Sequence, residues 1–234
     1  MKIINYDTEK YNFLDLVSEL YDCDLTVLDS IDKKDNLALG MDTHTPFHKT
    51  FYERIDNGWP EFEKLYREFV REVLFPRFED DTLLFQTLPN IRFQRPRAKA
   101  VYLWHCDGDQ DHCHPPGEIN IFLPLTKCKE SNTMWVESIP GLGDFQPLVM
   151  DYGQFFIGYL NRCRHGNKIN ETSDTRVSFD FRVVPGFAYD ESFEGKTATA
   201  NLEFKVGQYY DKMEREKTSK TFNFEENNKK GLKR

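Results

Sequence analysis

The run Arg176-Val177-Ser178-Phe179-Asp180-Phe181-Arg182-Val183 alternates strictly between polar and apolar side chains. A period of two belongs to a strand with one face in a core and the other turned to something polar. Val177, Phe179, Phe181 and Val183 share the apolar face, and Arg176, Ser178, Asp180 and Arg182 share the opposite one. Such a strand requires a sheet around it. Short β-type runs at 83–87, 91–95, 99–106, 118–125, 132–138, 147–151 and 154–159 supply the partners, with 176–184 as the last. Pro89, Pro115-Pro116-Gly117, Pro140-Gly141, Gly143 and Gly153 punctuate them. The pattern predicts a mainly β chain with flanking helices, folded as a double-stranded β-helix (the jelly roll, also the cupin architecture).

Two helices are expected outside that stretch. Phe13, Leu14, Leu16, Val17, Leu20 and Tyr21 recur at helical spacing over 12–21. Trp59, Phe62, Leu65, Tyr66, Phe69, Val70, Val73 and Leu74 form the clearest stripe, with Pro60 in the first turn and Pro76 ending it. Residues 42–48 read as loop, with His44 and His48 as surface or loop histidines, because Pro46 opposes a helix interior. Leu202, Phe204 and Val206 suggest a strand over 201–210, and the Lys-, Glu- and Asn-rich 211–234 a helical or disordered tail. The division is a helical part over 1–82, a jelly-roll core over 83–190 and an extension over 191–234, all in one structural domain.

Within the β stretch, Trp104-His105-Cys106-Asp107-Gly108 places an imidazole and a carboxylate two residues apart. On an extended strand both project to one face. They are two members of a 2-His-1-carboxylate triad, which holds Fe(II) and leaves positions open. The third member must come from far along the chain, and His165 follows Asp107 by 58 residues. Arg176 lies eleven residues beyond His165. With Ser178 on the same strand face it makes a carboxylate clamp, a forked pair of donors plus a third. A guanidinium facing the barrel interior needs an anionic partner, and Asp180, four residues along the strand, is roughly 13 Å away by strand rise.

This constellation resembles the Fe(II)/2-oxoglutarate-dependent oxygenases. Residues 88–184 carry the resemblance, and the runs Glu118–Thr126 and Asn132–Ser138 look like its phytanoyl-CoA-hydroxylase-like and streptomycin-biosynthesis-oxygenase-like branches. The resemblance implies His105, Asp107 and His165 as metal ligands, and Arg176 with Ser178 as the grip on the distal carboxylate of 2-oxoglutarate. It implies a dioxygenase that uses O2 to hydroxylate or desaturate a small molecule, releasing succinate and CO2. Related halogenases carry a small residue at the carboxylate position, so Asp107 implies no chlorination. Asn120 faces inward on its strand and could donate to a 2-oxoglutarate oxygen or bond to backbone. Trp135 and Glu137 share a face and are candidate substrate contacts, Glu137 alternatively an anchor for neighbouring groups. Arg182 shares the Arg176 face and is a candidate substrate contact in preference to a partner of Asp180. Arg92, Arg95 and Arg97 form a basic cluster, ordinarily a solvated face, here able to receive an anion.

Two rivals compete. His112, His114, Glu118 and His165 fit the cupin metal motif, although Pro115 and Pro116 interrupt the strand and Leu125 stands where that motif has glycine. That reading leaves Arg176 and Ser178 without a purpose. The other rival is a non-catalytic jelly-roll ligand-binding module, which would make no succinate. A net charge of −8 argues against nucleic acid as a partner. No run is apolar enough for a membrane span. Five cysteines without CxxC spacing indicate a reducing, cytoplasmic setting, which suits ferrous iron. Substrate identity and oligomeric state are not legible.

Overall fold

The computed structural model describes residues 1–31, 45–101, 103–198 and 200–215. A first strand, β1 (Lys2–Asn5), precedes helices α1 (Phe13–Tyr21), α2 (Leu28–Ile31), α3 (Pro46–Asp56) and α4 (Pro60–Phe69). Strands β2 (Thr82–Gln86), β3 (Asn90–Gln94), β4 (Ile119–Pro124), β5 (Met134–Val136) and β6 (Gln146–Pro147) follow, then β7 (Gln154–Gly158), β8 (His165–Asn167), β9 (Arg176–Pro185) and β10 (Tyr210–Glu214).

Seven strands form the larger sheet in the order β1-β7-β4-β9-β2-β10, with β3 also pairing β9. The smaller sheet runs β6-β5-β8. All strand pairs are antiparallel, and the two sheets make the double-stranded β-helix. β9 organises the whole: one edge pairs with β4 over 178–183, the other with β3 over 176–180 and then β2 over 183–185. β1 and β10 bring residues from both flanks of 83–190 into the larger sheet.

The alternation of β9 sorts its side chains as its period demands. Phe179 meets Phe13, Phe51 and Phe62 at ring-centroid distances of 5.9, 5.8 and 5.5 Å, and Phe181 meets Tyr66 at 5.1 Å. Each ring buried there contributes about 2–3 kcal/mol of transfer free energy. The helices thus seal the outer face of the larger sheet, and the polar face of β9 is left to the barrel interior. A second apolar cluster, including Phe122, Met134, Val136, Met150 and Leu160, fills the space nearer the smaller sheet.

Several local expectations are corrected. Residues 46–56 are helical because Pro46 sits in the first turn, where its missing N–H costs nothing, and Thr45 accepts from the His48 N–H at 3.4 Å. His48 is therefore buried, not a surface histidine; His44 lies outside the described residues. The stripe of α4 continues through a π turn over Val70–Leu74, which keeps Val70, Val73 and Leu74 buried together. Among the described residues of 99–106 there is no strand; His105 meets the smaller sheet in a bridge to His165. Residues 201–210 form only isolated bridges, and regular pairing begins at Tyr210, with β10 along β2. The expected tail over 211–234 is thus a strand at its start, and 216–234 lie outside the described residues.

Candidate metal centre

Backbone pairing brings the two histidine segments together. The His105 N–H donates to the His165 carbonyl at 3.0 Å, and the His165 N–H returns the bond at 2.9 Å. The following turn is stapled to the neighbouring loop: Asp107 N–H to the Leu160 carbonyl at 3.1 Å, Gly108 N–H to the Asn161 carbonyl at 2.9 Å. A Cβ on residue 108 would lie 2.9 Å from that carbonyl oxygen, so only glycine allows the approach.

Nε2 of His105 and Nε2 of His165 each lie 3.5 Å from Oδ1 of Asp107. The opposite ring nitrogens face acceptors: Nδ1 of His105 is 3.0 Å from the Leu103 carbonyl, and Nδ1 of His165 is 3.2 Å from the Cys163 carbonyl. A carbonyl can only accept, so Nδ1 carries the proton in both rings and Nε2 presents its lone pair. Burial, the largest influence, pushes the His165 imidazole down to about 4 against the pull of Asp107, so this ring is neutral. Burial would raise the Asp107 carboxyl; the Arg182 guanidinium, foremost among the opposing influences, outweighs it and holds the group well below the usual range. Two imidazole nitrogens and one carboxylate oxygen thus converge within 4.8 Å, a donor set that could hold a divalent metal.

Comparison with known proteins meets this geometry from the sequence side. No family model matches the chain. The streptomycin biosynthesis protein StrG of Streptomyces griseus is 31% identical over 209 residues, which is 89% of this chain and 96% of that protein. The chain belongs to the StrG family. It is also similar to two solved structures. One is the non-heme alpha-ketoglutarate-dependent epimerase SnoN from nogalamycin biosynthesis, at 12% identity and TM-score 0.45, over 89% of this chain and 91% of that one. The other is the nickel complex of the non-heme monooxygenase ThoJ, at 15% identity and TM-score 0.44, over 83% and 78%.

The surroundings of the triad in this StrG-family chain were partly misjudged from sequence. Asn120 Nδ2 donates to Asp107 Oδ2 at 2.6 Å, while its Oδ1 accepts the Leu160 N–H at 3.0 Å. The amide is therefore engaged with the ligand set and with backbone. Arg182 is likewise committed. Its Nε and one terminal nitrogen donate to Asp107 Oδ2 at 2.9 and 2.8 Å, and the other terminal nitrogen donates to Asp180 Oδ1 at 2.5 Å. An arginine is long enough to fold back onto a residue two places away on its own strand face, so the Asp180 pair set aside on sequence grounds does form. Asp180 also accepts from Arg92 at 2.6 Å and Asn90 at 3.1 Å. Of the basic cluster, Arg92 is thus paired, and Arg97 reaches Asp29 at 3.8 Å.

Trp135 and Glu137 do not line the cavity that contains the triad; Met134 does. The inward parity of β5 is the opposite of that expected. Glu137 instead accepts the N–H groups of Gly141, Gly143 and Arg164 at 3.0, 3.1 and 2.7 Å, closing the 139–146 loop beside the histidine strand. Trp135 lies under the Lys168 ammonium, 3.3 Å from its ring centroid.

The cavity measures about 980 Å³, and its walls include the triad, Arg176, Arg182 and Phe122. Arg176 is 1% exposed. Its Nε and one terminal nitrogen donate to Gln94 Oε1 at 3.2 and 3.0 Å, and the other donates to Ser178 Oγ at 2.6 Å. Gln94, which sequence reasoning missed, stands opposite Arg176 in the β3–β9 register, a relation visible only once the strands are paired.

The rival ligand set is not assembled. His112 Nδ1 is bound to Asp109 at 2.7 Å, and its ring stacks on His105 at 4.2 Å. His114 Nδ1 is bound to the buried Glu118 at 2.6 Å, and Glu118 also accepts the Tyr210 hydroxyl. Among the described residues, His114 and Glu118 group with Asp107, not with His112 and His165.

Proposed function

We propose that this chain is a non-haem oxygenase that uses Fe(II), 2-oxoglutarate and O2 to hydroxylate or desaturate a small molecule. The observation that carries the reading is the convergence on one cavity of Asp107 Oδ1 and two Nε2 lone pairs, with the buried Arg176–Ser178 pair in the same barrel. His105, Asp107 and His165 would hold the metal. Bound there, iron and 2-oxoglutarate would supply the oxidising chemistry, with succinate and CO2 as co-products.

The remaining work falls to the chain. The carbonyls of Leu103 and Cys163 hold the imidazoles in the ligating tautomer. Arg176 and Ser178 would take the distal carboxylate of the oxoacid, with Gln94 keeping the guanidinium fork in place. Phe122 lies under that fork, 5.5 Å from ring centroid to guanidinium carbon, and excludes water from one side. Asp107 fills the position that a halide would need, which favours oxygenation over chlorination. The StrG relative is named for streptomycin biosynthesis, and a polar small molecule is the substrate class carried over. Polar walls that include Asn90, Arg92, Asp180 and Gln208 suit it.

Anaerobic addition of Fe(II) and then 2-oxoglutarate should raise the weak visible charge-transfer absorption of a chelated oxoacid. His105→Ala, Asp107→Ala and His165→Ala should abolish it, while His112→Ala and His114→Ala keep most of it. Loss of metal in the His112 and His114 variants with retention in the His105 variant would reverse the ligand assignment. A wild-type protein that binds 2-oxoglutarate but never forms succinate would be a binding module.

A further inference from the structure

We propose that Arg182 and Asn120 hold Asp107 as a one-oxygen metal ligand and so keep a coordination position open for the cosubstrate or O2. The inference rests on the iron and 2-oxoglutarate reading above. A carboxylate can ligate through one oxygen or through both. Here the two oxygens of Asp107 have different surroundings. Oδ1 faces both Nε2 atoms at 3.5 Å. Oδ2 accepts three N–H donors, two from Arg182 at 2.9 and 2.8 Å and one from Asn120 at 2.6 Å. Three donors saturate that oxygen's lone pairs.

The donors are fixed by the fold. Asn120 and Arg182 are direct partners in the β4–β9 register, so their side chains rise from adjacent strands on one face. Asn120 is anchored by the Leu160 N–H, and Leu160 also accepts the Asp107 N–H. Arg182 is anchored by Asp180, which Arg92 and Asn90 hold in turn. Asp107, Asn120 and Arg182 are 1%, 4% and 7% exposed, so these hydrogen bonds are made by buried groups. Turning Oδ2 toward a metal would break charge-assisted bonds between buried groups, a costly exchange.

The consequence is a matter of counting positions. Held to one oxygen, Asp107 would take a single position on a bound metal and, with the two histidines, would leave room there for the oxoacid and O2. A two-oxygen Asp107 would take up some of that room.

Co(II) is a suitable probe, because its visible absorption weakens as coordination number rises. Wild-type protein, Arg182→Gln, Arg182→Lys and Asn120→Ala would be loaded with Co(II) and titrated with 2-oxoglutarate. Arg182→Gln should stay loaded, show a weaker Co(II) band and bind 2-oxoglutarate about tenfold less tightly, the low end for partners of ligating groups. Asn120→Ala, which removes one donor and no charge, should shift in the same direction by less. Arg182→Lys keeps the charge but loses the fork, and should also alter the band. Variant Co(II) spectra that superimpose on the wild type would overturn the proposal. So would loss of Co(II) together with a lowered melting temperature in both Arg182→Gln and Asn120→Ala, the mark of a purely structural role. If the wild-type spectrum ignores 2-oxoglutarate, the functional reading fails, while the Co(II) bands alone still report how Asp107 binds.

Discussion

Gly166→Ala probes how tightly the histidine pair is fitted. Gly166 follows His165 in β8, and its bare Cα is covered by the Trp104 indole. A Cβ built there would lie 2.7, 2.9 and 3.1 Å from Cδ2, Cγ and Cε3 of Trp104. Carbon atoms rest at about 3.5–4.0 Å, so the ring must retreat by roughly 1 Å. The indole is rigid, packs edge-on against Phe145 at 4.6 Å, and belongs to the residue just before His105. Its retreat would pull on the two hydrogen bonds that join His105 to His165. Overpacking of this kind costs about 1–3 kcal/mol. At roughly 2–4 °C per kcal/mol for a chain of this size, Tm should fall by about 2–12 °C. Metal affinity should drop by about tenfold or more, because ligands must stay within about 0.5 Å of their places. Differential scanning fluorimetry and Co(II) titration would measure both. Gly143→Ala is the control: its φ of +72° strains a substitution, but nothing lies within 4 Å of the added carbon, so metal binding should be unchanged. Trp104→Leu in the Gly166→Ala background should restore part of the affinity. Unchanged Tm and metal affinity in Gly166→Ala would refute the reasoning.

Two further outcomes are expected. Arg176→Ala should raise the 2-oxoglutarate requirement by about a hundredfold, from the several kcal/mol of a partly desolvated charged pair; Ser178→Ala should do so by less, and iron affinity should change little in either, as calorimetry on metal-loaded protein would show. The metal-free protein should lose stability in acid: the folded His165 value of about 4 lies below its unfolded value of 6.5, so its contribution is full above pH 6.5 and declines below it. At 1.36 kcal/mol per unit, roughly 3 kcal/mol is gone by pH 4. The lowered Asp107 carboxyl acts in the same direction at still lower pH. Melting curves from pH 8 to pH 4 would test this, and a flat profile would count against a neutral, buried His165.

What the sequence determined by itself is what depends on local period. The alternation of 176–183 requires no knowledge of neighbours, and it put Phe179 and Phe181 on the apolar face, which packs in the core, and Arg176 and Arg182 on the opposite face, which lines the cavity. The stripe of α4 was legible for the same reason. His105, Asp107 and His165 stood out because few residue types bind metal and their order along the chain is informative. Tertiary structure decided the rest, because it turns on contacts between distant segments. β8 is three residues long, too short to show a period, and exists by pairing with β5 and His105. The inward parity of β5 was set by its partners, which turned Glu137 to the loop and Met134 to the cavity. Asp107 and Arg182 are 75 residues apart, and only the β4–β9 register brings Arg182 and Asn120 onto the same carboxylate oxygen. A side chain's length and chemistry can be read from its letter, but the group it reaches is fixed by the strands that fold around it.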